Sequence, residues 1–311
     1  MTKEELIQGI ANGDTRSLSK AITMAESSIA SKQEIALQII EHFGPQKNTF
    51  RIGITGSPGV GKSSFIESVG VALPTDSTHK IAILSIDPSS NISRGSIMGD
   101  KTRMNKLNTL DHVYIRPSSS GSQLGGVAKN TRLAMLLCEA AGYKTIFIES
   151  VGVGQSETEI SKLTDLFVLL ISPGGGDELQ GIKRGIMEMA DLIIVNKADG
   201  DQERQAELTA KEYSMALHLK PINKNNWGPK VIVSSTITGK GISSFIEIYS
   251  DFNQLISDKW KYENRKEQMT YWTKKSIQDL LLSRIEDYEE RIKQHIKDGV
   301  LPERSARNIL E

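Results

Sequence analysis

The octet Gly56-Ser57-Pro58-Gly59-Val60-Gly61-Lys62-Ser63, followed by Ser64, has residue types and spacing suited to holding phosphate. Glycines at 56, 59 and 61 let the backbone curl so that successive N–H groups point inward at phosphate oxygens. Lys62 supplies a point charge for the β- and γ-phosphates of a nucleoside triphosphate. The Ser63 hydroxyl supplies an oxygen ligand for Mg²⁺. Such a loop needs a strand before it and a helix after it, whose positive N-terminal end adds to the anion site. Residues 51–55 are a short β-rich run and residues 64–73 have helical spacing, so the context is present. A glycine-rich turn with a chance lysine would not require it.

A second polar cluster, Asn196-Lys197-Ala198-Asp199, follows the apolar run 192–195. A carboxylate at Asp199 can accept from guanine N1–H and from the exocyclic amino group together. Adenine offers no such pair, and its N1 would set a lone pair against a buried carboxylate. The Lys197 stem can pack along the base. Ser234-Ser235-Thr236, at the end of the next β-rich run, resembles the S-A-x loop that contacts guanine, with Ser235 at the alanine position. A polar loop at a strand end is the plain alternative. The order of the segments along the chain favours GTP and GDP as the ligands.

A third cluster carries acid. The run 144–149 ends in Glu149, followed by Ser150, Val151 and Gly152, an E-x-x-G where most GTPases have D-x-x-G. Glu149 is placed to hold Mg²⁺ directly or through water. The Gly152 N–H can sense the γ-phosphate. Lys62, Glu149 and Gly152 are therefore the expected catalytic positions. Val153 fills the place of the usual water-orienting glutamine, which predicts slow intrinsic turnover. Asp87, ending the run 80–86, and Asp100, in the small-residue stretch 94–103, are further candidates for the Mg²⁺ shell. Turn or cap aspartates are the other reading of both. The loops 118–126 and 173–178 are rich in small residues, and either fits a switch or a plain linker.

These segments need a frame. β-rich runs at 51–55, 80–86, 112–115, 144–149, 165–171, 191–196 and 230–234 alternate with stretches of helical period. Several are apolar throughout, as strands buried on both faces are. This pattern predicts an α/β P-loop fold, a doubly wound, mostly parallel sheet. Residues 1–46 read as a helical extension and 47–240 as the nucleotide domain. Residues 241–311 read as a second helical extension, with one helix at 241–257 and a long one at 263–297. Trp260 and Trp272 fit either packing on a helix face or anchoring in an interface.

Composition excludes several classes. The 38 basic and 38 acidic residues cancel, leaving no electrostatic footprint for nucleic acid. The longest apolar runs, such as 167–171, are too short to span a bilayer, and no membrane partner is expected. A single cysteine, Cys138, rules out an intrachain disulfide and fits a cytoplasmic setting. The five histidines are scattered without metal-ligand spacing.

Taken together, residues 56–64, 87–90, 95–104, 149–157, 173–182 and 196–199 closely resemble the methylmalonyl-CoA mutase-associated GTPases, the MeaB/ArgK group. The nonapeptide beginning at Glu149 and ending at Glu157 is the most distinctive of these. Arg265, Gln268 and Trp272 resemble that family's C-terminal helix. The resemblance implies a G-protein chaperone of an adenosylcobalamin-dependent acyl-CoA mutase such as methylmalonyl-CoA mutase, switching by GTP hydrolysis. It also implies a homodimer formed largely through the C-terminal helices. The Mg²⁺ shell would comprise Ser63, Asp87, Asp100 and Glu149, and residues 173–182 would be an extra switch facing the mutase. Arg94 and Ser235 depart from the family pattern. The alternatives from other classes are a nickel-type metal-insertion GTPase, a signal-recognition-type targeting GTPase, a transport-linked kinase and a non-enzymatic nucleotide sensor. The first lacks His-rich or Cys ligands here, and the second lacks a methionine-rich region.

Overall fold

The computed structural model describes residues 1–46, 48–73, 79–87, 104–119, 124–150, 152, 157–174, 184–217, 227–286 and 288–310. Two compact units emerge, Met1–Lys261 and Tyr262–Glu311.

The first unit begins with three helices, α1 (Lys3–Ala11), α2 (Thr15–Ala25) and α3 (Ala30–Phe43). Local chemistry starts the first two. Thr2 and Glu5 form a reciprocal capping box on α1. The Asp14 carboxylate accepts from the Arg16 and Ser17 N–H groups at the head of α2. Their apolar faces, including Leu6, Ile10, Leu18, Ile22 and Ile39, are buried.

A sheet of seven strands follows: β1 (Phe50–Gly56), β2 (Ile81–Asp87), β3 (Val113–Ser119), β4 (Thr145–Glu149), β5 (Leu166–Ile171), β6 (Leu192–Val195) and β7 (Lys230–Val233). The order is β3-β2-β4-β1-β5-β6-β7 and every pairing is parallel. The helices between the strands are α4 (Lys62–Ala72), α5 (Leu124–Ala140), α6 (Glu157–Ser161), α7 (Arg184–Met189) and α8 (Glu203–Leu217). β1, β4, β5 and β6 are buried along their whole length, which accounts for their unbroken apolar runs. β7, at one edge, is only half-buried.

Helix α9 (Ile242–Leu255) belongs to this unit too, although its sequence grouped it with the C-terminal arm. Phe245 and Phe252 are fully buried, and Phe245 meets Phe65 of α4 edge to face at 5.2 Å. Burying two phenyl rings favours this docking by several kcal/mol, on the order of 2–3 each.

At the N-terminal ends of the strands a buried ion pair ties sheet to helix. The Arg51 guanidinium donates to both Glu139 oxygens of α5, at 2.6 and 2.7 Å. Truncating either partner would strand a buried charge, at a cost of about 3–5 kcal/mol. The second unit is helical: most of α10 (Asp258–Glu286), then α11 (Glu289–Lys297) and α12 (Pro302–Leu310). No described helix is long and apolar enough to cross a membrane.

Candidate nucleotide site

The strand order fixes where a ligand goes. From β1 the chain crosses to β2 on one side. From β4 it crosses back past β1 to β5 on the other. That reversal opens a crevice at the carboxyl ends of the central strands, the place where open α/β sheets bind ligands. Residues 56–63 lie there, between β1 and α4.

Glycine is required at three of those positions. Gly56, Gly59 and Gly61 have φ of 148°, 79° and 96°. A side chain on Gly56 would run into the Leu170 carbonyl, and one on Gly61 would come within 2.7 Å of the Asn196 amide nitrogen. Gly61 caps α4 without any side-chain bond, so the first N–H groups of that helix remain available to an anion. Lys62 is 7% exposed, and its ammonium donates to the Gly56 carbonyl at 2.9 Å and the Ser57 carbonyl at 3.3 Å. It is thereby folded back over the loop it serves.

Ser63 and Glu149 meet. The Ser63 hydroxyl donates to Glu149 Oε1 at 2.8 Å. The other carboxylate oxygen accepts from Ser85 of β2 at 3.3 Å. A hydroxyl and a buried carboxylate are hard oxygen donors, the set that suits Mg²⁺. Asp87 ends β2, and Asp100 lies outside the described residues. Among the described residues no group of three or more His, Cys, Asp or Glu side chains gathers as a metal cage. Ser63 and Glu149 are the described side chains whose oxygens could hold a cation here. Gly152 sits at φ 89°, and a Cβ there would collide with the Gly56 carbonyl and come within 3.1 Å of Lys62 Nζ. Gly152 thus lies against the phosphate loop. Val151 and residues 153–156, like 88–103 and 175–183, lie outside the described residues.

The guanine segment is joined to the same loop. The Asn196 side-chain amide donates to the Val60 carbonyl at 2.9 Å, while its Oδ1 is buried without a protein partner. Lys197 has φ 60°, the only positive value at a non-glycine residue among those described. Such a turn directs the chain between Asn196 and Asp199. The Asp199 carboxylate accepts from the Ser235 hydroxyl at 2.5 Å, and Ser235 Oγ in turn accepts from the Ile237 and Thr238 N–H groups at 3.2 and 3.3 Å. Ser234 is fully buried, and its hydroxyl has no protein partner. The serine that holds the Asp199 carboxylate is therefore Ser235.

Two contributions escaped sequence reasoning. Ser85 is one; its signal was a lone hydroxyl in the otherwise apolar run 81–86. The other is the Ser150 hydroxyl donating to Thr55 at 2.9 Å, which binds β1 to the residue after Glu149.

This sheet, this phosphate loop and a guanine segment bonded to it define a P-loop GTPase that binds guanine nucleotide. The chain belongs to the MeaB family: residues 18–290 match the family described as "Methylmalonyl Co-A mutase-associated GTPase MeaB". It is 38% identical over 313 residues to "GTPase ArgK" of Escherichia coli (strain K12), covering 98% of this chain and 94% of the relative. It is 42% identical over 291 residues to "Methylmalonic aciduria type A homolog, mitochondrial" of Mus musculus, covering 90% and 70%. A solved structure described as "LAO/AO transport system kinase" superposes with a TM-score of 0.78 at 32% identity, covering 99% of this chain and 96% of that one. The protein is accordingly a GTP hydrolase.

Proposed function

We propose that this GTPase acts as a G-protein chaperone of an adenosylcobalamin-dependent acyl-CoA mutase such as methylmalonyl-CoA mutase, cycling between GTP- and GDP-bound states with Mg²⁺. The observation that carries the reading is the match of residues 18–290 to the mutase-associated family, on a site whose phosphate and guanine segments are both built.

In this site Lys62 and the backbone N–H groups of residues 59–63 bind the phosphates, and Asp199, Asn196 and Lys197 fix the base. Ser63 and Glu149, with Asp87 and Asp100 as further candidates, would hold Mg²⁺, which supplies charge neutralisation on the β- and γ-phosphate oxygens. Water attacks the γ-phosphorus, the bond to the β-γ bridging oxygen breaks, and the products are GDP and phosphate. Glu149 makes hydrogen bonds to two hydroxyls, Ser63 and Ser85. Its roles in this reading are metal binding and orientation. With Val153 in the water-orienting place, isolated turnover is slow.

The deciding experiment is GTP turnover by the pure protein, alone and with the mutase of the same organism. A rise of about tenfold or more would mean that the client completes the site. An unchanged rate would remove the mutase as the activating partner.

A homodimer through the C-terminal arm is part of this proposal. Ile277, Leu281 and Leu282 of α10 are each more than half exposed, an apolar surface suited to a second copy. Light scattering on wild type and Leu281→Asp tests it. A monomeric wild type would end the idea.

The solved structure described as a transport system kinase supports a second reading, phosphoryl transfer to an acceptor other than water. Phosphate release that matches GTP consumption with candidate acceptors present would eliminate it.

A further inference from the structure

We propose that Ser85 is a positioning residue for the Ser63–Glu149 pair, holding the Glu149 carboxylate in the rotation that presents Oε1 to the Ser63 hydroxyl. The proposal rests on the reading of Ser63 and Glu149 as Mg²⁺ ligands.

Strand register brings the residues together. Ser85 of β2 and Glu149 of β4 are direct partners in the parallel ladder. Paired residues of adjacent strands project to the same face of a sheet. Ser85 is 2% exposed, at the end of a run in which Ile81, Ala82, Ile83 and Leu84 are all fully buried. A hydroxyl in such a place costs stability unless it is bonded, by about 1–3 kcal/mol. The Ser85 hydroxyl meets that need by donating to Glu149 Oε2.

The consequence concerns rotation. The terminal torsion of a glutamate is broad and roughly two-fold, so each hydrogen bond that holds one oxygen restricts the carboxylate plane. Hydroxyls on opposite oxygens, Ser63 on Oε1 and Ser85 on Oε2, define the plane. A serine hydroxyl has one proton and two lone pairs. Ser63 can keep its proton on Glu149 while a lone pair faces a cation. Whether that lone pair is aimed correctly depends on where Oε1 sits. Ser85 therefore acts on the cation through Glu149, and on the bare nucleotide not at all.

The test is calorimetric affinity of the full chain for a non-hydrolysable GTP analogue, with excess Mg²⁺ and again with EDTA. Wild type, Ser85→Ala and Ser85→Thr are compared, with melting temperatures alongside. The expected result is that Ser85→Ala reduces the Mg²⁺-dependent gain in affinity by roughly three- to tenfold, the worth of one ordinary hydrogen bond, as suits a contact of 3.3 Å. Its affinity in EDTA stays within about twofold of wild type, and Ser85→Thr, which keeps the hydroxyl, restores the gain. An unchanged Mg²⁺ gain in Ser85→Ala overturns the proposal. So does an equal loss of affinity with and without Mg²⁺, which would mark Ser85 as structural only. A wild type with no Mg²⁺ gain overturns the ligand reading of Ser63 and Glu149 itself, a separate and recognisable failure. Should Ser85→Thr not fold, the Ser85→Ala comparison decides alone.

Discussion

The Asn196 side-chain amide donates to the Val60 carbonyl across 136 residues of sequence, joining the guanine segment to the phosphate loop at 2.9 Å. Both residues are buried. The segment proposed to recognise the base is therefore tied directly to the loop proposed to bind phosphate. Asn196→Ala should uncouple them. The expected cost is about 1–3 kcal/mol of nucleotide affinity, from the lost bond and a loosened loop. Calorimetry with GDP checks this, and an affinity within a factor of two of wild type would refute the coupling.

The Asp199 carboxylate, proposed to read the base, is held by the Ser235 hydroxyl. Asp199→Asn converts one acceptor into a donor. Its amide oxygen still accepts from N1–H, while the new donor should clash with the guanine exocyclic amino group and pair with the carbonyl that xanthine carries in its place. GTP affinity should fall by roughly two orders of magnitude or more, while xanthosine triphosphate is weakened far less or gains. Competition binding with the two nucleotides gives the ratio directly. Equal losses for both would contradict the assignment. Ser235→Ala, which leaves the carboxylate but frees it, should lower GTP affinity by about tenfold or less without changing the preference.

Much of this was legible in the sequence because the signals are local. The phosphate loop is contiguous, its glycines are demanded by φ values at 56, 59 and 61, and each predicted strand begins and ends within a few residues of the observed one. The missed features depend on distant partners. Nothing near Ser85 announces Glu149; only the β2–β4 register does. Two adjacent serines at 234 and 235 make the S-A-x phase ambiguous until the Asp199 bond chooses between them. Helix α9 shows the same limit. Its pattern predicts a helix at 241–257, but which body its phenylalanines enter is settled by Phe65.

Gly152 carries a prediction about backbone rather than side chain. At φ 89° an alanine costs about 1 kcal/mol from conformation alone. Its methyl would also meet the Gly56 carbonyl, which is backbone and cannot swing aside. Gly152→Ala should displace the E-x-x-G segment from the phosphate loop. The expected outcome is GTP hydrolysis slowed by more than about tenfold while GDP still binds, as follows if Gly152 serves the γ-phosphate. Single-turnover hydrolysis beside GDP calorimetry separates the two effects. Wild-type hydrolysis in this variant would remove Gly152 from the site.

The buried tyrosines predict how stability ends at high pH. Burial pushes the Tyr114 phenol up to about 12, with the nearby Cys138 thiol adding to the rise and the bond to Ser19 opposing it. Burial likewise raises Tyr143, Tyr249 and the Cys138 thiol. In each case the folded form keeps its proton to higher pH than the unfolded form, whose phenols ionise near 10 and whose thiol ionises near 8.5. Their contribution is complete below the unfolded values and drains away as pH climbs, Cys138 first and then the phenols toward pH 12. For Tyr114 alone the loss approaches about 2–3 kcal/mol, because each tenfold difference in proton affinity between the folded and unfolded phenol is worth about 1.4 kcal/mol. Urea unfolding at pH 8 and pH 11 should therefore show a marked loss of stability. Tyr114→Phe should lose about 1 kcal/mol at pH 8 with the Ser19 bond, which ties α2 to β3. It should also lose less on going to pH 11 than wild type does. An identical alkaline loss in the two proteins would mean that the Tyr114 phenol ionises no later folded than unfolded.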